Sequence, residues 1–201
     1  MIFLDGLPDT LNVNGTEYPI RTDFRAVLKY DRCLHMEDEA RGLYEALNTL
    51  YVTIPPDVEA AVSAANWFVN CGKNEKNHTP SNRILGVNGK KSFDFEEDDI
   101  RLWTAVKTRY GIDLLRVDYL HWWLFRGIVD DIGEDSALSR IMYYRTVDVT
   151  AEELPKKRKD FLTALQRFYE LHECEEERDE EFIQALLNGE DISRFLEDAE
   201  E

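Results

Sequence analysis

Cysteine is scarce in this chain, and its cysteines form no recognisable pattern. Cys33, Cys71 and Cys174 are odd in number and widely spaced, without a CxxC motif, so they predict neither a disulfide framework nor a zinc finger. No apolar run approaches the ~18 residues that a membrane-spanning helix needs, and the first apolar residues end at Asp5, too soon for a signal peptide. The sequence therefore predicts a soluble protein from a reducing compartment.

Positive charge is scarce as well. The chain of 201 residues has a formal net charge of −17, whereas a surface that binds duplex nucleic acid needs clustered Lys and Arg. The acidic excess is concentrated in residues 173–201, which carry thirteen Asp or Glu and two Arg. The one dense basic cluster, residues 156–159, is better explained as a solvated first helical turn that could pair with this acidic tail. We therefore predict protein partners, with no nucleic acid and no membrane.

Patterns typical of catalysis or metal binding are also missing. The sequence has no GxSxG, GxxxxGK[ST] or GxGxxG motif. Cys33-Leu34-His35 and His172-Glu173-Cys174 are isolated pairs, whereas a structural zinc site needs four ligands. His121 lies between apolar residues, where a histidine more often belongs to the core than to a catalytic site. We predict no catalytic residue, no metal and no cofactor, and an enzyme is the least favoured class.

Helical periodicity fills most of the chain. Apolar residues recur at helical spacing over about residues 22–51, 56–71, 94–110, 117–132, 136–146 and 155–172. Before them, Asn14-Gly15 joins two short alternating segments, a pattern that predicts a β-hairpin over residues 10–20. The predicted fold class is mainly α, a compact helical domain over residues 1–172 with a small N-terminal β-hairpin and an acidic C-terminal tail.

The centre of this domain is predicted to be the helix at about residues 117–132. It is apolar on two faces, and a helix that is apolar nearly all round is typically buried. The apolar stripes of the neighbouring helices are expected to pack around it. The predicted core residues are Trp103, Leu120, Leu124, Phe125, Ile128, Phe161, Leu165 and Phe168.

Two segments depart from the helical pattern. Residues 72–92 are rich in Gly, Asn and Lys and predict a flexible basic loop, either a solvated connector or a partner contact. Residues 173–201 form the acidic tail, in which two apolar stripes at helical spacing predict short amphipathic helices. These helices could dock on the same chain or on a partner. The candidate partner-binding residues are Phe182, Ile183, Leu186, Leu187, Ile192, Phe195 and Leu196.

Six short motifs, taken in order, carry a resemblance to a known family. They are Thr22-Asp-Phe-Arg25, Asn66-Trp-Phe-Val69, Asp98-Asp-Ile, Tyr110-Gly-Ile-Asp-Leu114, His121-Trp-Trp-Leu-Phe125 and Ile141-Met-Tyr-Tyr-Arg145. Their order and spacing over residues 10–172 resemble the bacteriophage gene-product-fifteen family of long-tailed phages and prophages. The motifs are typical of a scaffold, since glycine at a helix end and bulky aromatics on a buried helix serve folding.

The resemblance implies a tail assembly chaperone of a siphovirus or prophage, acting in the host bacterial cytoplasm without enzymatic activity. Such genes lie between those of the tail tube and tape measure proteins. These chaperones coat the long helical tape measure protein, keep it soluble and recruit tail tube subunits that displace them. The implied partners are thus the tape measure protein and the tail tube protein, and a homo-oligomer of this chain is a further option. The alternative is a structural component that is retained in the finished phage tail.

Overall fold

The computed structural model describes residues 2–73, 88–150 and 154–171. Over these ranges the chain forms eight helices and one two-stranded sheet, which confirms the predicted mainly α fold with an N-terminal hairpin. The acidic tail, residues 173–201, and most of the predicted basic loop lie outside the described residues. The helices are α1 (Ile2–Asp5), α2 (Phe24–Leu34), α3 (Glu39–Leu50), α4 (Val58–Val69), α5 (Asp99–Tyr110), α6 (Trp122–Asp130), α7 (Ala137–Thr146) and α8 (Lys156–Phe168).

The N-terminal hairpin forms where the sequence predicts it. Strands β1 (Thr10–Val13) and β2 (Thr16–Pro19) pair antiparallel. Asn14 and Gly15 between them have φ angles of 51° and 84°, as a tight hairpin turn with two positive φ angles requires. Because β1 packs against α4, the hairpin is held on a helix rather than standing alone.

The described residues group into two compact units. The first contains residues 2–73 and 118–127, and the second contains residues 88–117, 128–150 and 154–171. In the first unit α2 packs on α3, and α4 contacts both α3 and β1. In the second unit α7 packs on α5 and α8. The single helical domain over residues 1–172 stays a prediction, since periodicity identifies helices but does not show which of them pack together.

Two buried tyrosines fill the core of the first unit. Tyr30 and Tyr51 are 1% and 0% exposed, and the Tyr51 hydroxyl donates to the carbonyl of Ala61 at 2.7 Å. Burial raises the pKa of both phenols above its ordinary value. Both side chains therefore stay neutral at physiological pH and act mainly as apolar bulk.

A buried ion pair holds the second unit together. Arg145 and Asp98 side chains are 5% and 0% exposed, and two guanidinium N–H groups of Arg145 donate to the two carboxylate oxygens of Asp98 at 2.6 and 3.1 Å. Two further N–H groups of Arg145 donate to the carbonyl oxygens of Ser92 and Tyr169 at 3.0 and 2.6 Å. The pair therefore joins the start of α5, the end of α7 and the residue after α8, and its charges are satisfied.

The motif after α5 acts as a helix terminus. Gly111 has a φ angle of 71° and ends the helix, as predicted. Asp113 then accepts hydrogen bonds from the indole of Trp103 at 2.8 Å and from Lys107 at 2.9 Å. These donors, the indole first, lower the pKa of Asp113 to about 2. The carboxylate is therefore ionised at physiological pH and fixes the chain that leaves α5.

Part of the predicted core is wrong. Leu120, Phe125 and Ile128 are buried as predicted, whereas Trp103 and Leu165 are only half-buried. Three further residues of the prediction are exposed: Leu124 at 53%, Phe161 at 50% and Phe168 at 75%. The physical reason is that α8 buries a different side through Leu162, and that residues 117–121 are not helical, so α6 begins only at Trp122.

We expect Arg145→Met to lower the free energy of unfolding by about 3–5 kcal/mol, because it leaves the Asp98 carboxylate buried without its cation. Arg101→Met is the matched control. Arg101 contacts the same carboxylate at 3.2 Å but is 38% exposed, so its removal should cost less than about 1 kcal/mol. Urea denaturation of the full chain measures both. Equal urea midpoints for Arg145→Met and Arg101→Met would show that the buried pair of Arg145 and Asp98 is not central to the stability of the second unit.

Candidate partner-binding surface

The predicted partner-binding residues, Phe182, Ile183, Leu186, Leu187, Ile192, Phe195 and Leu196, lie outside the described residues. Within the described ranges, exposed apolar side chains occur in both units. They include Trp67 in the first unit, and Phe161 and Phe168 of α8 in the second. Trp67 lies on an ordered frame, which begins with a segment from much later in the chain.

Residues 118–127 enter the first unit through backbone pairing. The N–H of Phe24 donates to the carbonyl of Leu120 at 2.9 Å, and the N–H of Trp122 donates to the carbonyl of Thr22 at 2.7 Å. The carboxylate of Asp23 also accepts from the N–H of Leu120 at 3.1 Å. This segment is therefore fixed at the start of α2, about a hundred residues away along the chain.

The two indoles of this segment bind the end of α4. The indole N–H of Trp122 donates to the carbonyl of Val69, and that of Trp123 donates to the carbonyl of Phe68, each at 2.8 Å. The last carbonyl groups of a helix lack the regular backbone donors and need other partners. The Trp122-Trp123 pair thus completes α4 while placing its rings beside that helix.

His121 has a structural role in this frame. Its Nε2 atom lies 3.1 Å from the carbonyl oxygen of Pro8, and its Nδ1 atom accepts from the N–H of Trp123 at 3.1 Å. Since Nδ1 is an acceptor, the network assigns the ring hydrogen to Nε2, which donates to Pro8. The side chain is 6% exposed. Both ring nitrogens therefore have hydrogen-bond partners in the first unit.

Trp67 and Trp123 form an aromatic pair that reaches the surface. Their ring centroids are 5.5 Å apart in an edge-on arrangement, and Trp67 remains 40% exposed. Gly72 turns beneath both rings with a φ angle of 72°, and a Cβ atom there would lie 3.0 Å from Trp123 and 3.3 Å from Trp67. Glycine is therefore required by its φ angle as well as by the limited space.

A shallow groove of about 330 Å³ lies beside Trp67, between the hairpin and α4. One carboxylate is fixed in it, because Asn12 and Thr10 donate to the two carboxylate oxygens of Glu17 at 2.7 and 2.8 Å. These hydrogen bonds, that of Asn12 first, lower the pKa of Glu17. We call this surface the Trp67 groove, and its lining residues are Thr10, Leu11, Asn12, Glu17, Ala64 and Trp67.

The chemistry of the Trp67 groove suits a protein side chain. An exposed indole beside a fixed carboxylate suits a long side chain with an apolar stem and a cationic end. Nowhere in the described ranges do three or more His, Cys, Asp or Glu side chains converge as a metal site would require. No helix in the described part of the chain is both long and apolar enough to cross a membrane.

The family comparison agrees with the extent of this architecture. A family model described as "Bacteriophage Gp15 protein" matches residues 3–171. That match includes both compact units and stops where the acidic tail begins. No curated protein and no solved structure matches the chain.

We expect Phe125→Ala to lower the free energy of unfolding by about 3–5 kcal/mol, the usual cost of deleting a buried aromatic ring. Phe125 is 0% exposed and stacks on Phe24 with ring centroids 4.6 Å apart. The neighbouring Leu124→Ala should cost less than about 1 kcal/mol, because that side chain is exposed. Thermal and urea unfolding of both variants check this. A larger loss of unfolding free energy for Leu124→Ala than for Phe125→Ala would show that Leu124, and not Phe125, faces the core.

Proposed function

Because this chain belongs to the bacteriophage Gp15 protein family, we propose that its phage-related role is that of a tail assembly chaperone. In this proposal it acts in the cytoplasm of the host bacterium, during assembly of a long-tailed phage. It works by reversible protein binding and has no enzymatic activity. Its partners are the tape measure protein, which it keeps soluble, and the tail tube protein, whose polymerisation displaces it.

The Trp67 groove is the observation that supports this binding role most directly. An indole that is 40% exposed on a well-supported frame has the features of an energetic centre in protein interfaces, where Trp is enriched. The frame is preorganised, since Gly72 and Trp123 fix the ring from below. Binding there would therefore cost little additional ordering of the chaperone.

In this proposal the groove receives a side chain from a helical partner. The groove is shallow and holds one indole and one carboxylate, so each copy would receive a single side chain with an apolar stem and a Lys or Arg end group. Many such contacts repeated along a long helix would hold a coat of chaperone copies through multivalency. Each contact alone would be weak enough for tail tube subunits to replace it. Contacts between neighbouring copies would add to this coat.

The experiment is co-expression of the chain with its tape measure protein, followed by affinity capture. Trp67→Ala should reduce the captured tape measure protein about tenfold. Replacing a residue at the energetic centre of an interface by Ala typically costs more than about 1 kcal/mol of binding free energy. Tyr44→Ala is the matched control, because Tyr44 is an aromatic residue of the same unit and is 60% exposed. A thermal melt of each variant shows that the fold is kept.

Two results would overturn the proposal in different ways. Equal capture by the Trp67→Ala and Tyr44→Ala proteins would remove the Trp67 groove from the interface. Failure of the unmodified chain to capture the tape measure protein would remove the chaperone role itself.

A further inference from the structure

One side of α8 is exposed along the whole length of the helix. Lys157, Phe161, Ala164 and Phe168 are all exposed, and the two rings are exposed by 50% and 75%. Because an α-helix turns by about 100° per residue, these four side chains fall within an arc of ~60°. The buried Leu162 lies on a different side. We call the four residues the α8 stripe, and two rings this exposed on one helix favour a covering partner.

The α8 stripe has the spacing of a coiled-coil seam. Its members follow one another at intervals of four, three and four residues, as the a and d positions of a heptad do. Phe161 and Phe168 correspond to a positions, and Lys157 and Ala164 correspond to d positions. A second helix that crosses α8 at a small angle would therefore meet all four side chains over ~17 Å.

A second copy of the α8 stripe complements the first when the two helices run antiparallel. Each a residue then faces a d residue of the other helix, so Phe161 faces Ala164 of the second copy and Phe168 faces its Lys157. A large ring is thus opposite a small side chain, and the other ring is opposite a cation. A parallel pair would instead oppose like residues, which crowds the rings and brings two lysines together.

The charge of α8 also favours the antiparallel direction. The helix has five basic side chains and one acidic side chain, and four of the basic ones are residues 156–159 at its start. Antiparallel pairing keeps the two basic ends ~20 Å apart and places each near the C-terminal end of the other helix, where the helix dipole favours cations. A cation already lies near a ring within one α8, since the guanidinium of Arg158 is 6.0 Å from the ring centroid of Phe161.

We propose that the α8 stripe is the centre of a twofold interface between two copies of this chain. Each Phe161 ring packs on Ala164 of the other copy, and each Lys157 ammonium group covers a Phe168 ring. At 50% and 75% exposure, the two rings offer roughly 200–300 Å² of apolar area per copy. A standard interface buries about 800 Å² per partner. The stripe supplies only the centre of such an area, so the dimer is weak and reversible.

This self-association is a property of the purified chain and does not depend on the proposed chaperone function. It rests on the second unit, whereas capture of the tape measure protein is assigned to the Trp67 groove of the first. Dimerisation and capture are measured separately, so the failure of one leaves the other standing. If both hold, a dimer offers two Trp67 grooves and gains avidity for a long partner.

Sedimentation velocity of the full chain over a range of concentrations tests the proposal. The sedimentation coefficient of the unmodified chain should rise with concentration from that of a monomer to that of a dimer. Phe161→Ser/Phe168→Ser should raise the dissociation constant of the dimer at least tenfold, because both rings leave the interface. Ile100→Ser is the matched control, since this apolar residue of α5 lies in the same unit and is 70% exposed. It should leave the dissociation constant unchanged.

Lys157→Glu keeps the test decisive if the double serine variant folds poorly. It replaces the cation over the Phe168 ring by an anion and should raise the dissociation constant about tenfold. Arg116→Glu makes the same change of charge outside α8, at a side chain that is 88% exposed, and should have no such effect.

Three results would overturn the proposal. The first is an unmodified chain that stays monomeric at every concentration, and the second is a dissociation constant that neither stripe variant changes. The third is a mixture of unmodified and Lys157→Glu chains that dimerises more tightly than either protein alone. That result would indicate parallel pairing, in which the lysine of one copy faces the glutamate of the other.

Discussion

The first unit depends on hydrogen bonds between the end of α4 and a segment that lies much later in the chain. The carbonyl groups of Phe68 and Val69 lie where the helical ladder ends, and the indoles of Trp122 and Trp123 supply donors to them. These hydrogen bonds hold residues 118–127 against α4, although they follow it by about fifty residues. Once they are there, their backbone pairs with the start of α2. The exposed indole of the Trp67 groove lies on this frame.

Several of the motifs that carry the family resemblance contact one another within each unit. The segments at residues 22–25 and 66–69 receive the backbone and indoles of residues 121–125. In the second unit, Asp98 and Arg145 from two further motifs form one buried ion pair. These residue types are therefore explained by packing and hydrogen bonding. In the proposed function, binding is assigned to surface residues such as Trp67, which lies within one of these motifs but remains partly exposed.

Local signals in the sequence located the hairpin and the helices after it, except for some helix ends, but not their packing. Asn14-Gly15 predicts the hairpin because few residue pairs tolerate two positive φ angles. Periodicity located the helices, yet α8 carries apolar residues on more than one side, and the pattern could not show that Leu162 rather than Phe161 faces inward. The Trp67 groove was missed, although Trp67 lies outside the apolar stripe of α4 and this position is a signal of exposure. The pairing of residues 118–127 with the start of α2 joins parts of the chain that are far apart in sequence, so no local pattern predicts it.

We propose that this family member helps tails to assemble and is not retained in them. Quantitative mass spectrometry of purified phage particles and of lysates from producing cells tests this proposed role. An assembly chaperone is expected to be abundant in the lysate, together with the tape measure protein, and absent from the purified particles. Its presence in purified particles in a fixed ratio to the tail proteins would instead identify a structural component of the tail.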